Sequence, residues 1–391
     1  MKILFIVNNF YAMGNGLSAS ARRTVQVLKE MGHEVRILSG PNLQAAQPQP
    51  DYPLKQYKFP LVQPIITAQG YCFAASDPTM TEEAVKWADV VHLEEPFVVE
   101  DRAIPIIERL GKPLTGTFHL YPENVTCSLG PLRHWKGLNR KILRSWRDLT
   151  FNHCQYVQCP TENVLDRLRR YHFTSELRVI SNGLIPDQCI RPETPPADYK
   201  DPDRPLRIVY IGRLSIEKDQ GTLIEAMRYS RYAKRIQLHF AGRGPQAKQA
   251  RRRAQKLVDD GVVTYPPVFS FNTRDELREI AAAADLCVHC ATIEVEGLSI
   301  MEAIQQGAVP VIAEGRYTGT SQFALDRRSI FPERNPEALA HRIDYWLDHP
   351  DERWEMGKKY VQAIRKYDIH RSAEQLVQMF QDAIDDKKKS C

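Results

Sequence analysis

The chain has 391 residues, and at roughly 100–200 residues per domain this length favours two domains. Its composition, 43% hydrophobic and 26% charged, is that of a globular protein and excludes a largely disordered or collagen-like chain. The 53 basic and 48 acidic residues give a net charge of +5. This excess is compatible with an anionic substrate or membrane surface and is too small to indicate a nucleic-acid partner.

Short β-branched segments alternate with amphipathic segments along the chain, and this alternation predicts parallel sheets built from βαβ units. The strands predicted in the first half are Ile3–Val7, Glu34–Leu38, Val90–Leu93, Pro113–Phe118, Tyr156–Gln158 and Arg178–Ser181. Those predicted in the second half are Leu206–Ile211, Gln237–Ala241, Val262–Tyr265, Leu286–His289 and Val309–Ile312. Helical periodicity predicts helices over Ala19–Met31 and Arg371–Ile384.

A proline-rich, acidic segment, 191–205, lies between the two halves and contains five prolines and four acidic residues. Such a segment forms neither a helix nor a central strand, so it is predicted to be an interdomain linker. The sequence thus predicts a first domain over 1–190 and a second domain over 206–370. The C-terminal helix within 371–391 is expected to pack back on the first domain.

No apolar run reaches the roughly 20 residues of a membrane-spanning helix. The first apolar run, Ile3–Val7, is too short for a signal peptide and is expected to be a buried strand. The eight cysteines have no repeating spacing, which favours a reducing compartment. We therefore expect a cytoplasmic protein that is at most peripheral on the inner face of the cell membrane.

Two glutamates in the second half, Glu294 and Glu302, have the spacing E-x7-E. Glu294 follows a predicted strand and Glu302 lies on the next helix, so both are expected at the carboxyl edge of the sheet, where open α/β folds bind ligands. Gly297 lets the backbone approach a ligand, and the helix start offers N–H groups to a phosphate. Glu302 suits a hydrogen bond to a ribose diol. An isolated pair of this kind is usually two solvated glutamates, so the surrounding residues decide.

Two cations follow the predicted strand Leu206–Ile211: after Gly212 come Arg213 and, five residues later, Lys218. A guanidinium can clamp two diphosphate oxygens, and the ammonium adds a compact charge. Together they would neutralise a diphosphate without a metal ion. Isolated loop cations are usually surface charges, so this interpretation depends on the accompanying glutamates.

These residues together resemble glycosyltransferase family 4, whose members are retaining enzymes of the GT-B fold. The residues that match the family's E-x7-E element and the strand after it are Glu294, Gly297, Leu298, Glu302, Ala303, Gly307 and Pro310. Val295-Glu296 stands where the family usually has Gly-Phe. The resemblance implies an α/β protein with two doubly wound, Rossmann-like parallel-sheet domains that face each other across a cleft.

The resemblance also implies a set of site residues. Those implied for the donor are Gly14, Gly16, Gly212, Arg213, Lys218, Val268, Glu294, Gly297, Leu298, Ser299 and Glu302. His119 matches the family's histidine at the end of a central strand, which there faces the transferred sugar, and Val268 is the candidate for a backbone contact to the nucleobase. The candidate catalytic residues are Glu294, His119, Arg213 and Lys218. Neither a metal nor another cofactor is expected.

The implied reaction is the retaining transfer of a hexose from a nucleotide sugar, with UDP favoured, to a hydroxyl of a lipid or glycan. A membrane lipid is the favoured acceptor, and a soluble or polysaccharide acceptor is the alternative. A catalytically silent GT-B scaffold should lack the cations or the glutamates, which are all present. A nicotinamide-dependent dehydrogenase should carry Gly-x-Gly-x-x-Gly, and neither Gly14-x-Gly16 nor Gly242-x-Gly244 has the third glycine.

The segment Arg133–Leu149 combines bases with tryptophans. Residues predicted to share its apolar face are Trp135, Leu138, Ile142, Trp146 and Leu149, and those predicted on a basic face are Lys136, Arg140, Arg144 and Arg147. A basic amphipathic helix with tryptophans is typical of an anchor on an anionic membrane surface. The alternative is that the apolar face packs in the core. The nearby Pro122-Glu123-Asn124 is similar to bacterial family members that glucosylate diacylglycerol.

Overall fold

A computed structural model of the protein describes residues 1–12, 16–42, 48–58, 73–127 and 135–389. The chain divides into two compact units. The first consists of Met1–Ile185 and Ile369–Cys391, and the second is Pro186–Asp368. Each unit is an α/β domain with its own parallel sheet.

The described strands of the first unit are β1 (Lys2–Val7), β2 (Glu34–Ser39), β3 (Tyr52–Pro53), β4 (Gln56–Tyr57), β5 (Phe73–Ala74), β6 (Val90–Leu93), β7 (Leu114–Thr117), β8 (Tyr156–Cys159) and β9 (Glu176–Val179). They form a parallel sheet in the order β3-β2-β1-β6-β7-β8-β9, while β4 and β5 pair antiparallel. The described helices of this unit are α1 (Gly16–Glu30), α2 (Pro78–Trp87), α3 (Val98–Arg109), α4 (Pro122–Thr126), α5 (Lys136–Leu149), α6 (Glu162–Arg170) and the C-terminal α13 (Ile369–Lys389).

The strands of the second unit are β10 (Leu206–Ile211), β11 (Ile236–Ala241), β12 (Val268–Ser270), β13 (Leu286–His289), β14 (Ile293–Glu294), β15 (Val309–Glu314), β16 (Tyr317–Thr318) and β17 (Ile330–Pro332). Its parallel sheet has the order β12-β11-β10-β13-β15-β17. The helices are α7 (Gln220–Ala226), α8 (Ala247–Asp259), α9 (Arg274–Ala282), α10 (Leu298–Gln305), α11 (Pro336–Asp348) and α12 (Pro350–Ile364).

The sequence pattern of the central strands explains this architecture. β6 and β13 are buried along their whole length, and β1 is buried after its first residue. Their almost continuous apolar runs therefore suit sheets that are covered by helices on both faces. The predicted fold class, two doubly wound parallel-sheet units, is confirmed.

Each sheet has one point at which the order of its strands reverses. β1 pairs with both β2 and β6, and β10 pairs with both β11 and β13. Chain connections that leave the two strands of such a pair run to opposite sides, so a crevice opens at their carboxyl ends. Side chains that follow β1 and β6, or β10 and β13, are thereby placed at a ligand-binding edge.

The proline-rich segment 191–205 belongs to the second unit, whose boundary precedes it. The Arg191 guanidinium donates to the carbonyl of Ala282 at 3.0 Å and also contacts those of Ala284 and Gly307. The indole of Trp354 donates to the carbonyl of Glu193. Because these hydrogen bonds hold the segment on the second unit, it packs as part of that unit. The chain passes from the first unit to the second before this segment, between Ile185 and Pro186, and not within 191–205 as we predicted.

One predicted strand is wrong: 262–265 is a turn region, and the edge strand is β12 instead. β12 pairs with β11 through Val268 and His239. Pro266 and Pro267 precede it and have no N–H groups for a ladder, so pairing begins only after them. The short strands β16 and β17 were not predicted.

Helix α13 packs on the first unit. Its buried side chains are Ile369, Ala373, Leu376, Met379, Phe380 and Ala383, which join one core cluster with residues of β1, β2 and α1. The ring of Phe380 makes edge contacts with Phe5 and His92, at centroid distances of 6.4 and 5.2 Å. Among the helices of the described ranges, none is both long enough and apolar enough to cross a bilayer.

Helix α5 divides its predicted apolar face between core and solvent. Trp146 is buried and meets the edge of Phe97, whereas Trp135 and Leu149 are more than half exposed. The buried side also includes Asn139 and Leu143. The single apolar face that we predicted is therefore wrong for Trp135 and Leu149, since the buried stripe runs through Leu143 and Trp146 instead. Arg133 lies outside the described residues.

We expect Phe380→Ala to lower the free energy of unfolding by about 3–5 kcal/mol, because a fully buried ring is removed and leaves a cavity. Urea denaturation of the full chain measures this loss. Glu374→Ala, an exposed position on the same helix, is the control and should stay within about 0.5 kcal/mol of the wild type. Equal stability of Phe380→Ala and the control would contradict the packing of α13.

Candidate active site

The loop after β10 carries the predicted cations to the carboxyl edge of the second sheet. Gly212 has φ of +152° and donates its N–H to the carbonyl of Ala241. The hydroxyl of Tyr210 donates to the carbonyl of Arg213, which fixes the backbone at that residue. Lys218 ends a short 3-10 turn that begins at Ile216. Both cations therefore lie in the loop that follows β10, at the carboxyl edge of the sheet.

The loop after β11 crosses the loop after β10 at very short range. A Cβ atom on Gly242 would lie 1.9 Å from the carbonyl oxygen of Gly212, and one on Gly244 would lie 2.3 Å from that of Leu214. Any side chain at these two positions would collide with rigid backbone. The Gly-x-Gly sequence is thus required by the packing of two loops, one of which carries Arg213.

The segment after β13 brings the first glutamate of the E-x7-E pair to the same edge. Glu294 ends β14, and Gly297, with φ of +90°, forms the N-terminal cap of α10. A Cβ on Gly297 would lie 2.4 Å from Cγ2 of Thr320, so both conformation and space require glycine. α10 then begins with Leu298 and Ser299, whose N–H groups belong to the first turn of the helix and have no partners within it.

Three side chains from the two loops meet at one carboxylate oxygen. The Lys218 ammonium contacts Oε2 of Glu294, and Nε2 of His289 lies 3.3 Å from the same Oε2. These side chains are largely buried, with exposures of 20% for Lys218, 15% for Glu294 and 5% for His289. Burial alone would raise the pKa of Glu294, but the charge of Lys218 and the hydrogen bond from His289 lower it to about 2. Glu294 is therefore an anion at any physiological pH.

Sequence analysis did not find His289. The residue is the last of the buried strand β13 and lies five positions before Glu294. The available signal was its position at the carboxyl end of a strand next to the switch point. Its contact with Glu294, however, depends on the bend at Thr292 and Ile293, and the pattern of apolar residues does not specify this bend.

The remaining predicted residues are distributed over both units. Glu302 is half-buried on α10, one turn after Leu298, and Val268 is 38% exposed at the start of the edge strand β12. Gly16 is the first residue of α1 in the first unit. Gly14 lies outside the described residues. The structure brings Lys218 into contact with Glu294 and places Gly212 beside Ser299 at the start of α10, with Arg213 on the same loop as Lys218. Gly16 and His119 belong to the other unit.

His119 follows β7 in the first unit and contacts a buried carboxylate. Its Nε2 donates to Oε2 of Glu94, which follows β6, the neighbouring strand. Burial by itself would raise the pKa of Glu94, but the charge and hydrogen bond of His119 bring it below its ordinary value. Because the ionised Glu94 only accepts hydrogen bonds, Nε2 of His119 must carry a proton. Nδ1 is then the nitrogen of His119 that remains for a ligand.

A chain of hydrogen bonds behind Glu94 fixes its surroundings. Nε2 of Gln158 donates to the carbonyl of Ile180, so Oε1 of Gln158 accepts from the Thr117 hydroxyl at 2.7 Å. That hydroxyl in turn accepts from Nε2 of His92 at 2.8 Å. Burial lowers the pKa of His92 to about 4, so His92 is neutral and places no second charge beside Glu94. Glu94 was not predicted, since its role depends on this contact with His119.

The fold is shared with solved structures of similar size. Sucrose-phosphate synthase from Thermosynechococcus elongatus matches 98% of this chain and 98% of its own, with 17% identity and a TM-score of 0.70. Anabaena HepE, solved with UDP and glucose, matches 97% of this chain and 99% of its own, with 15% identity and a TM-score of 0.66. The architecture is that of the GT-B class, as the sequence predicted.

Two family models match consecutive parts of the chain. The model described as Glycosyltransferase Family 4 matches residues 14–188, and that described as Glycosyl transferases group 1 matches residues 193–366. An alpha-monoglucosyldiacylglycerol synthase of Streptococcus pneumoniae is 25% identical over 328 residues, which cover 81% of this chain and 71% of that enzyme. The chain belongs to glycosyltransferase family 4. The dehydrogenase alternative is thereby set aside, and the protein is a glycosyltransferase.

We expect the stability contributed by Glu294 to depend on pH. Its pKa of about 2 in the folded protein lies below the value of about 4.3 in an unfolded chain. The contribution is therefore complete above about pH 5 and is lost as the pH falls towards 2. Glu294→Gln should lower the free energy of unfolding by about 1–3 kcal/mol at neutral pH, and its difference from the wild type should shrink below about pH 4.

Urea denaturation of both proteins between about pH 3 and 8 measures this difference. Glu314→Gln is a matched control, because Glu314 pairs with Arg327 at an exposed position of the same unit. The control should differ little from the wild type at every pH. A difference for Glu294→Gln that stays constant down to about pH 3 would show that its carboxylate has an ordinary pKa.

Proposed function

We propose that the protein transfers a hexose from a UDP-sugar to a lipid hydroxyl with retention of the anomeric configuration. The observation that carries this proposal is the cluster at the switch point of the second sheet, where Lys218 contacts Glu294, Arg213 lies on the same loop as Lys218, and the start of α10 lies beside Gly212. It offers positive charge and backbone N–H groups for a diphosphate, and a carboxylate for a sugar.

The donor is bound through charge and backbone contacts. Arg213 and Lys218 neutralise the diphosphate, and the N–H groups of Leu298 and Ser299 contribute the positive end of the helix dipole. Glu302 accepts hydrogen bonds from the ribose hydroxyls, and the exposed backbone of the edge strand at Val268 contacts the base. These assignments require no metal ion, since the cations of the chain supply the charge.

The reaction breaks the bond between the anomeric carbon and the diphosphate oxygen, and the electron pair leaves with the nucleoside diphosphate. The acceptor oxygen forms the new bond on the same face, and its proton passes to the departing diphosphate. Arg213 and Lys218 stabilise the charge that develops on the leaving group, a contribution of about 3–4 kcal/mol by analogy with oxyanion sites. Glu294 positions the sugar and offsets positive charge at the anomeric carbon. His119 contacts a substrate hydroxyl through Nδ1.

The preference for a lipid acceptor is based on the exposed side of α5. Lys136, Arg140, Lys141 and Arg144 are exposed there, and none of them forms an ion pair with another described residue. Trp135, 59% exposed, lies at the start of the same helix. Exposed bases beside a tryptophan favour an anionic bilayer, at about 1 kcal/mol per base. The similar synthase of Streptococcus pneumoniae is named for a diacylglycerol lipid.

The proposed chemistry is tested by the release of UDP from UDP-glucose with diacylglycerol in mixed micelles. We expect UDP release to depend on the acceptor and Arg213→Ala to lower kcat by about 100-fold or more, because one charged donor to the leaving group is lost. Lys256→Ala, an exposed cation on α8 of the same unit, should retain full activity. Wild-type turnover by Arg213→Ala would remove the diphosphate clamp from the mechanism, and UDP release that is independent of acceptor would contradict transfer.

The membrane surface is tested by charge reversal on α5. We expect Arg140→Glu combined with Arg144→Glu to release the protein from anionic vesicles of phosphatidylglycerol while UDP binding is unchanged, because the bases lie outside the donor site. Wild-type binding should weaken with salt, since the Debye length falls from about 10 Å at 0.1 M to about 3 Å at 1 M. Co-sedimentation measures both effects.

The matched control for this experiment is Lys248→Glu combined with Arg252→Glu on α8, which makes the same change in net charge at exposed positions of the other unit. The control should still bind the vesicles. Equal release by both double variants would mean that only net charge matters. A wild type that stays in the supernatant at low salt would favour a soluble glycan as the acceptor.

A further inference from the structure

His289 is a buried histidine with one nitrogen in use and one without a partner. Nε2 lies 3.3 Å from Oε2 of Glu294. Because Glu294 is ionised and only accepts, Nε2 must donate, and Nδ1 is the other nitrogen. Nδ1 is buried and has no hydrogen-bond partner among the described residues. Leaving such a group unsatisfied costs stability, so the position is not optimised for the fold.

The contact between Lys218 and Glu294 must change when the donor binds. Lys218 is the counter-charge of Glu294 in the structure, and the proposed function also gives Lys218 to the diphosphate. If the ammonium turns towards the phosphates, Glu294 remains largely buried with less compensation, and an uncompensated buried charge is strongly unfavourable. Among the described residues, His289 is the other side chain that contacts Oε2.

We propose that His289 is a positioning residue which holds the Glu294 carboxylate in place when Lys218 is drawn to the donor's diphosphate. This proposal rests on the proposed function, because it assigns the diphosphate to Lys218 and the sugar to Glu294. Both contacts shown for the Glu294 carboxylate use Oε2, so with His289 in place Oε1 remains for the donor sugar. The imidazole acts through Glu294 and touches neither substrate itself.

A purely structural histidine and a positioning histidine differ in how much stability their removal costs. The chain contains a comparison for this: His92 is equally buried, but its two nitrogens contact the hydroxyls of Thr115 and Thr117 at 2.9 and 2.8 Å. Replacing His92 by leucine removes both of its hydrogen bonds and should lower the melting temperature. Replacing His289 by leucine removes one unsatisfied nitrogen and one hydrogen bond to Glu294, while Lys218 still pairs with that carboxylate in the free protein, so the melting temperature should fall less than in His92→Leu.

The experiment compares His289→Leu with His289→Gln in the full chain. Glutamine places an amide N–H near the position of Nε2 and can still donate to Oε2, whereas leucine cannot. Each variant is assayed for kcat and KM with UDP-glucose, for UDP affinity by calorimetry, and for melting temperature. Glu294→Gln, alone and combined with His289→Leu, completes a double-variant cycle.

We expect His289→Leu to lose about 10–100-fold in kcat, as displaced catalytic groups do. It should also bind UDP more weakly, because drawing Lys218 to the diphosphate then leaves Glu294 less compensated, and its melting temperature should fall less than that of His92→Leu. His289→Gln should retain most of the activity. The combined variant should be no less active than Glu294→Gln alone, because His289 acts through that carboxylate.

Wild-type kcat in His289→Leu, equal inactivity of the leucine and glutamine variants, or failure of His289→Leu to fold would each overturn the proposal. Additive losses in the double-variant cycle would do the same. A wild type that binds no UDP and transfers no glucose would instead contradict the proposed function, and this outcome is visible before any variant is made.

Discussion

The parallel direction of all strands in each main sheet is the constraint on which the site depends. It gathers the carboxyl ends of the described strands at one edge, and the reversals at β1/β6 and β10/β13 open a crevice there. Residues far apart in sequence then meet because their strands are neighbours. Lys218 and Glu294 are separated by 76 positions, yet they contact each other since β10 pairs with β13.

In the proposed function, the ion pair between Lys218 and Glu294 keeps a site for anions stable without its ligand. Positive charge gathered for a diphosphate would repel itself in the free protein, and a buried carboxylate would be costly alone. Pairing the ammonium with the carboxylate reduces both costs. The lowered pKa of Glu294 reflects the stabilisation of its anion by this pairing. Under the proposed function, a diphosphate would compete for the ammonium and loosen this pair, so part of the binding energy would be used to rearrange the site.

The sequence predicted the elements whose signal is local. The strand Leu206–Ile211 was predicted to the residue, because a buried parallel strand is a continuous apolar run. Gly297 was singled out as a glycine that lets the backbone approach a ligand, and its φ of +90° is a reason for glycine that the sequence did not indicate. The prediction failed where strand formation depends on pairing with a neighbouring strand. Residues 262–265 are as apolar as an edge strand, but the prolines after them prevent pairing. Glu94 and His289 were missed because the role of each depends on a contact with another side chain. The sequence immediately around them does not indicate such a contact.

Both units place a histidine and a glutamate together at the switch point, and they use the pair in opposite order. In the first unit Glu94 is the more buried partner and accepts from Nε2 of His119, and the proposed function gives the imidazole to the substrate. In the second unit His289 is the more buried partner, and the proposed function gives Glu294 to the donor sugar. An imidazole presents one ring nitrogen, whereas a carboxylate presents negative charge. The first arrangement suits recognition of a hydroxyl, and the second suits a centre at which positive charge develops.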